Sequence, residues 1–281
     1  MNQNLLWSAQ QLNGALSDDT LIVVDCRFAL DQPGAGYSAW LESHIPGAHY
    51  AHLDNDLSGP LTSSGGRHPL PATSAFSTFL ARLGWEPGKK LVVYDNMSGA
   101  VAGRLWWLMR YFGHDCAVML DGGLSAWQRA AYRLESGEVI VEATRPVKLL
   151  EHRGMVLSSS QVSESLKQNN IVLVDARTPE RFAGRVEPLD RIAGHIPGSV
   201  NYPFQLNLDA NGLFKPAKEL REGLSVLTKR SDSGNLVHMC GSGVTACHNL
   251  FAAELAGIGG GKLYAGSWSG WIQDPSRPVA P

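Results

Sequence analysis

The sequence predicts an α/β protein of two tandem domains, each a parallel sheet with helices on both faces. Three observations carry that prediction. The first is an internal repeat: LIVVDCR at 21–27 returns as IVLVDAR at 171–177, and SHIPGAHY at 43–50 as GHIPGSVN at 194–201. Further along, LVVYDN at 91–96 returns as LVHMCG at 236–241, and GGLSAW at 122–127 as GSWSGW at 266–271. The pairs Asp25/Asp175, His44/His195, Asp95/Cys240 and Trp127/Trp271 stand 150, 151, 145 and 144 positions apart, in one order, which marks a duplicated unit. The second is the unbroken Val/Ile/Leu runs, as expected of strands buried on both faces. The third is the alternation of such runs with helical stretches, the pattern of a parallel sheet covered on both sides.

In chain order, each half begins with a strand ending in the VD-x-R element, followed by the HIPG turn. A second strand (LVVY, LVHM) runs into a loop of Gly and Ser, and then a helix: AGRLWWLMRYFG in the first half, VTACHNLFAAELAG in the second. Both helical stretches end in Gly, the usual terminator. A short strand (CAVML, KLYA) leads to the closing Gly-Ser-Trp segment. Residues 139–155 have no repeat partner and carry mixed charge and Pro146, so the domains are expected at 1–138 and 156–281 with a linker between them.

Composition sets the class. Of 281 residues 44% are hydrophobic and 18% charged, enough for a sizeable core and unlike a disordered chain. The net charge of −2 offers no electrostatic footprint for nucleic acid or for an acidic membrane surface, and no apolar run reaches spanning length. No Lys or Arg precedes Arg27, so no secretory basic region is expected. Four cysteines suit a reducing compartment, and a cytoplasmic setting is expected.

In an open α/β sheet, ligands bind beyond the carboxyl ends of the strands. Cys240 stands there in the second half, followed by Gly241-Ser242-Gly243-Val244-Thr245 and a helix. Backbone N–H groups of such a turn can form an anion cradle, and the helix N-terminus adds positive potential, so a sulfur there is favoured as thiolate. The first half has Asp95-Asn96-Met97-Ser98-Gly99 instead, so one half alone is chemically competent. Blander readings compete. A free Cys is commonly a buried structural residue, the reading kept for Cys26, Cys116 and Cys247. G-x-G-x-x-A at 241–246 fits a dinucleotide loop, but too little chain follows to complete that half. A cysteine phosphatase would need Arg where Ala246 stands, and His238, Cys240, Cys247 and His248 lack paired zinc spacing, so no metal is expected.

The two repeated halves, each with HIPG, the CGSGVTAC loop and the closing GSW-x-x-W segment resemble the tandem rhodanese family of sulfurtransferases, with a loop most similar to the 3-mercaptopyruvate branch. The resemblance implies two rhodanese-like domains, a first without the nucleophile and a second with it. It also implies sulfur transfer through a Cys240 persulfide, a small-molecule sulfur donor, a thiol or cyanide acceptor, and no organic cofactor. A thioredoxin-like dithiol is chemically suited as acceptor. Family thiosulfate enzymes carry Arg and Lys just after the Cys, whereas Gly241 and Ser242 stand here, so a monocarboxylate donor is favoured and thiosulfate is the alternative. A non-catalytic persulfide carrier is the alternative of another class. By the same resemblance Arg181 holds the donor carboxylate, with a second arginine at Arg191 or Arg185. Ser242, His68 and Asp54 match a serine–histidine–aspartate relay, and Gly241, Gly243, Val244 and Thr245 belong to the binding loop. The alternative for Asp54 and His68 is a surface loop. His44, His195 and the Asp25/Arg27 and Asp175/Arg177 pairs read as structural braces, and Trp106, Trp107, Trp127 and Trp271 as core anchors.

Overall fold

A computed structural model describes residues 5–63, 65–228 and 235–281. The first half holds β1 (Leu6–Trp7), α1 (Ala9–Ala15), β2 (Leu21–Asp25), α2 (Ala35–Glu42), β3 (His49–Tyr50) and α3 (Thr73–Arg82). It continues with β4 (Lys90–Tyr94), α4 (Ala102–Tyr111), β5 (Ala117–Leu120) and α5 (Gly123–Arg129). The second half holds α6 (Ser159–Lys167), β6 (Val172–Asp175), α7 (Pro179–Phe182), β7 (Val200–Asn201) and α8 (Ala217–Thr228). It closes with β8 (Leu236–Met239), α9 (Thr245–Leu255), β9 (Lys262–Leu263) and α10 (Ser267–Trp271).

The strands pair in parallel in the orders β1-β5-β4-β2-β3 and β7-β6-β8-β9. Read from β5 and from β9, the two sheets have one topology, as the repeat requires. The first sheet has the extra edge strand β1, where the second has only a bridge between Val156 and Leu263. The apolar run at β1, Leu5-Leu6-Trp7, is too short to predict a strand. The repeat extends to helix starts: Ser8 and Ser158 each accept the third-residue amide of their helix while Gln11 and Gln161 reach back, two reciprocal caps. Residues 139–152 carry no helix or strand.

Val24, Leu91, Val93, Val174 and Leu236 bury one face of the sheets against α4 and α9 in a core that runs through both halves. Trp106 of α4 meets Phe251 of α9 edge-on at 4.9 Å, and a Cβ at Gly103 would lie 3.3 Å from the His248 amide nitrogen. The halves are therefore packed helix on helix, and truncating either ring to Ala is expected to cost about 3–5 kcal/mol. Separate clusters around Trp127 and around Trp268 and Trp271 cover the opposite faces of the two sheets. This packing sets the carboxyl ends of β4 and β8 beside each other across the seam. Among the described residues no helix is long and apolar enough to cross a membrane.

Candidate active site

Cys240 follows β8, and the loop after it is shaped by α10. The Cys240 carbonyl accepts the Trp268 amide at 3.0 Å and the Gly241 carbonyl accepts the Ser269 amide at 2.9 Å. The Cys240 amide donates to Ser267 Oγ at 3.1 Å, and Ser267 takes a left-handed φ of 51° to reach it. With these carbonyls bound to α10, the chain reverses at Gly243, whose N–H donates to Cys240 Sγ at 3.2 Å. Gly243 has φ 78°, and a Cβ there would lie 2.6 Å from the Ala265 carbonyl oxygen, so only glycine fits. Val244 and Thr245 then open α9, whose N-terminus adds positive potential at the sulfur. Cys240 is only 2% exposed.

The repeat supplies an internal control. In the first half the Asp95 carboxylate turns into its own loop, with Oδ1 accepting Met97 and Gly99 amides at 2.8 Å and Oδ2 accepting Val101 and Ala102 amides at 2.7 and 2.9 Å. The same strand–loop–helix turn thus holds an anion on main-chain amides, the behaviour expected of a nest. In this half the anion is the protein's own.

Ser242 Oγ–H donates to His68 Nδ1 at 2.7 Å, and His68 Nε2 lies 3.2 Å from Asp54 Oδ1. A carboxylate only accepts, so the Asp54 contact fixes the hydrogen on Nε2 and leaves Nδ1 to accept. Burial, with the charges of Arg104 and Arg67 adding to it, lowers the His68 imidazole to about 3, so it is neutral at neutral pH. The serine belongs to the second half; the histidine and aspartate come from the 54–68 segment of the first. His68 is buried and the Asp54 side chain is half-exposed, and the two lie in one row with a serine two residues from Cys240.

Arg181, on α7, lies over the loop: a Cβ at Gly241 would be 3.6 Å from its Nη1 and Nη2. It pairs with Glu187 at 2.7 Å and Asp190 at 3.3 Å. The expected second arginine is elsewhere. Arg191 is exposed and donates to the Ile272 carbonyl, and Arg185 is exposed. The guanidinium nearest Gly241 is instead Arg67, 3.0 Å from that Cβ position and paired with Asp190. Sequence reasoning missed Arg67 because it lies in the first half, beside His68. It also missed Arg104, a fully buried residue of α4. Arg104 donates to the carbonyls of Gly243 at 3.0 Å, His68 at 3.1 Å, Pro69 at 3.3 Å and Leu57 at 3.3 Å, and among the described residues it has no carboxylate partner. One side chain thus ties the sulfur loop to the relay segment.

Burial pushes Cys26 well up, Cys116 to about 11 and Cys247 to about 12, so none is a thiolate at neutral pH. His44 and His195 bond the Trp40 and Phe182 carbonyls through Nδ1 at 2.7 and 2.9 Å. Asp25 and Asp175 hold Arg27 and Arg177 through paired bonds of 2.7–3.1 Å, and each arginine also reaches the carbonyl preceding its HIPG histidine. These repeated groups brace both halves alike. No group of three or more His, Cys, Asp or Glu side chains arranged to hold a metal occurs among the described residues.

Comparison with known proteins agrees with the fold. The rhodanese-like domain family matches residues 8–130 and again 158–274. A Pseudomonas aeruginosa protein described as "Probable 3-mercaptopyruvate sulfurtransferase" is 44% identical over 284 residues, covering 100% of this chain and 99% of that one. The human 3-mercaptopyruvate sulfurtransferase is 35% identical over 272 residues, covering 94% and 89%. The crystal structure of the Escherichia coli 3-mercaptopyruvate sulfotransferase superposes with a TM-score of 0.80 at 31% identity, over 94% of this chain and 99% of that one.

Proposed function

The chain belongs to the rhodanese family as two tandem copies and is a sulfurtransferase, and on that premise we propose that Cys240 takes sulfur from 3-mercaptopyruvate and passes it to a thiol or cyanide acceptor. Residues 156–281 are the catalytic half. Residues 1–138 carry no nucleophile but contribute Asp54, His68, Arg67 and Arg104, and residues 139–155 connect the two.

In the first half-reaction the Cys240 thiolate attacks the donor sulfur. The Cys240–sulfur bond forms, the donor's carbon–sulfur bond breaks, and the electron pair leaves as the enolate of pyruvate. The donor thiol's proton passes to Ser242 Oγ as the serine proton moves to His68 Nδ1, giving an imidazolium facing Asp54. Buried and depressed as it is, that imidazolium is a strong acid and returns the proton, through Ser242, to the enolate. Pyruvate departs and the persulfide remains, stabilised by the Gly243 N–H and the α9 N-terminus. In the second half-reaction an acceptor thiolate attacks the outer sulfur, that sulfur–sulfur bond breaks, and the Cys240 thiolate leaves. A thioredoxin-like dithiol would then close its own disulfide and expel hydrosulfide.

The observation that carries this reading is the Asp54–His68–Ser242 row on the loop that holds Cys240. A donor whose leaving group is an enolate needs a proton; thiosulfate, which leaves as sulfite, does not. The absence of a cationic side chain at 241 and 242 points the same way. Mixing the protein with 3-mercaptopyruvate and a thiol releases pyruvate, and Cys240→Ser abolishes the release. A higher kcat/KM for thiosulfate than for 3-mercaptopyruvate overturns the donor assignment.

A further inference from the structure

Three charged side chains drawn from both halves, Asp190, Arg67 and Arg181, meet beside Gly241. Asp190 Oδ1 faces Arg67 Nη1, from the first half, and Asp190 Oδ2 faces Arg181 Nη2, from the second, at 3.3 Å. Its side chain is 5% exposed. Both guanidiniums lie over Gly241, next to Cys240, which is where the carboxylate of a small keto acid bound at the sulfur would have to lie.

We propose that Asp190 is a resident carboxylate occupying the anion site made by Arg67 and Arg181, so that a monocarboxylate donor binds by exchange with it. The inference deepens the reading of the donor given above and rests on it.

Two features distinguish Asp190 from a fixed structural partner. Glu187 in the same segment is anchored: it receives Arg181 at 2.7 Å, Arg177 at 3.4 Å, and the amides of Leu189 and Asp190 at 3.2 Å. Burial opposes the Glu187 charge, but the bonds to Arg181 and to those amides outweigh it and hold the carboxyl below the ordinary range. The Asp190 carboxylate has its two ion pairs, one to each half, and burial pushes its carboxyl up against the pull of Arg67. Glu187 therefore pins the segment while the Asp190 side chain is the exchangeable member. The second feature is Arg67 Nε, a buried donor without a partner among the described residues. Asp190 meets Arg67 through one terminal nitrogen, whereas an incoming carboxylate approaching the guanidinium edge could take Nε–H and Nη–H together, the bidentate fork that Arg prefers.

The exchange has a consequence for turnover. Pyruvate carries the same carboxylate as the donor, so the return of Asp190 to Arg67 and Arg181 helps expel the product. It also fits monocarboxylates in preference to more highly charged anions, because the exchange replaces one negative charge with one.

The test is the affinity of the resting protein for pyruvate, read by titration calorimetry without any sulfur donor. Asp190→Asn keeps the shape and removes the competing charge; pyruvate then binds about tenfold tighter or more, and the KM for 3-mercaptopyruvate falls in step. Arg67→Met weakens pyruvate binding by about tenfold or more. Folded Asp190→Asn protein with unchanged or weaker pyruvate affinity overturns the proposal. Should that variant fail to fold, Arg67→Met decides, and unchanged affinity there overturns it equally. A wild-type protein that releases pyruvate from 3-mercaptopyruvate while either of these negative results holds loses the exchange alone; one that does not release pyruvate loses the donor reading.

Discussion

Replacing His68 with Asn separates the two half-reactions. The substitution removes the acceptor for Ser242 Oγ at 2.7 Å and the ring nitrogen 3.2 Å from Asp54, while the His68 carbonyl stays bonded to Arg104 at 3.1 Å. The loss of the buried Ser242 bond costs about 1 kcal/mol of stability, which a folded protein tolerates. Removal of a positioned general acid–base group costs about 10²–10⁴-fold in the step that uses it. That step is the protonation of the enolate, so pyruvate release from 3-mercaptopyruvate falls by that factor. Sulfur transfer to cyanide from a persulfide preloaded with thiosulfate involves no enolate and falls by less than about threefold, well under one acid–base contribution. Rapid-quench measurement of pyruvate, set beside thiocyanate formation from the preloaded enzyme, gives both numbers. Equal losses in the two, or a loss of pyruvate release below about fivefold, refute the assignment of the row to proton transfer.

Three further outcomes are expected. Gly243→Ala forces a Cβ to within 2.6 Å of the Ala265 carbonyl at a left-handed φ; it destabilises by about 1–3 kcal/mol in urea titration and lowers turnover by pulling the Gly243 amide from the sulfur. Arg104→Met removes a donor from four carbonyls, of which Pro69 keeps the Gly59 amide and Gly243 the Cys247 thiol, and lowers stability by about 1–3 kcal/mol; a change below about 1 kcal/mol shows that water replaces the guanidinium. Buried His238 and His248 are lowered to about 4 from 6.5. The unfolded chain takes up their protons first, so their neutral burial stabilises above about pH 6.5 and that stability is lost as the pH falls toward 4, by up to about 3 kcal/mol each. A urea midpoint flat between pH 7 and 4.5 contradicts this.

The features legible in the sequence are those carried by neighbouring residues. Cys240 with its glycines, the VD-x-R braces and the HIPG turns are local patterns, and the duplication displays the braces and the turns twice. The Ser242–His68–Asp54 row rested on resemblance, because His68 and Ser242 are 174 residues apart and nothing along the chain links them. Arg67 and Arg104 were illegible for the same reason. Arg104 sits in a helix that reads as ordinary core, and its bond to Gly243 spans 139 residues; Arg67 reaches Asp190 across 123. The second arginine, Arg191 or Arg185, rests on the resemblance, which points to the segment after Arg181, while the packing of α4 on α9 brings a guanidinium from the opposite half. The strand β1 is two residues long and gains its place only by pairing with β5.

The Asp95 carboxylate has a consequence for how such a pair of copies can diverge. A nest emptied of its sulfur would leave several amides without a partner and weaken the half that lost it. A carboxylate in that position satisfies them from within, so chemistry can be retired there while the architecture survives. The silenced copy is then released from serving its own reaction and can specialise as a supplier, lending a proton carrier and guanidiniums to its sibling. Once that division of labour exists, neither copy regains independence by a single substitution.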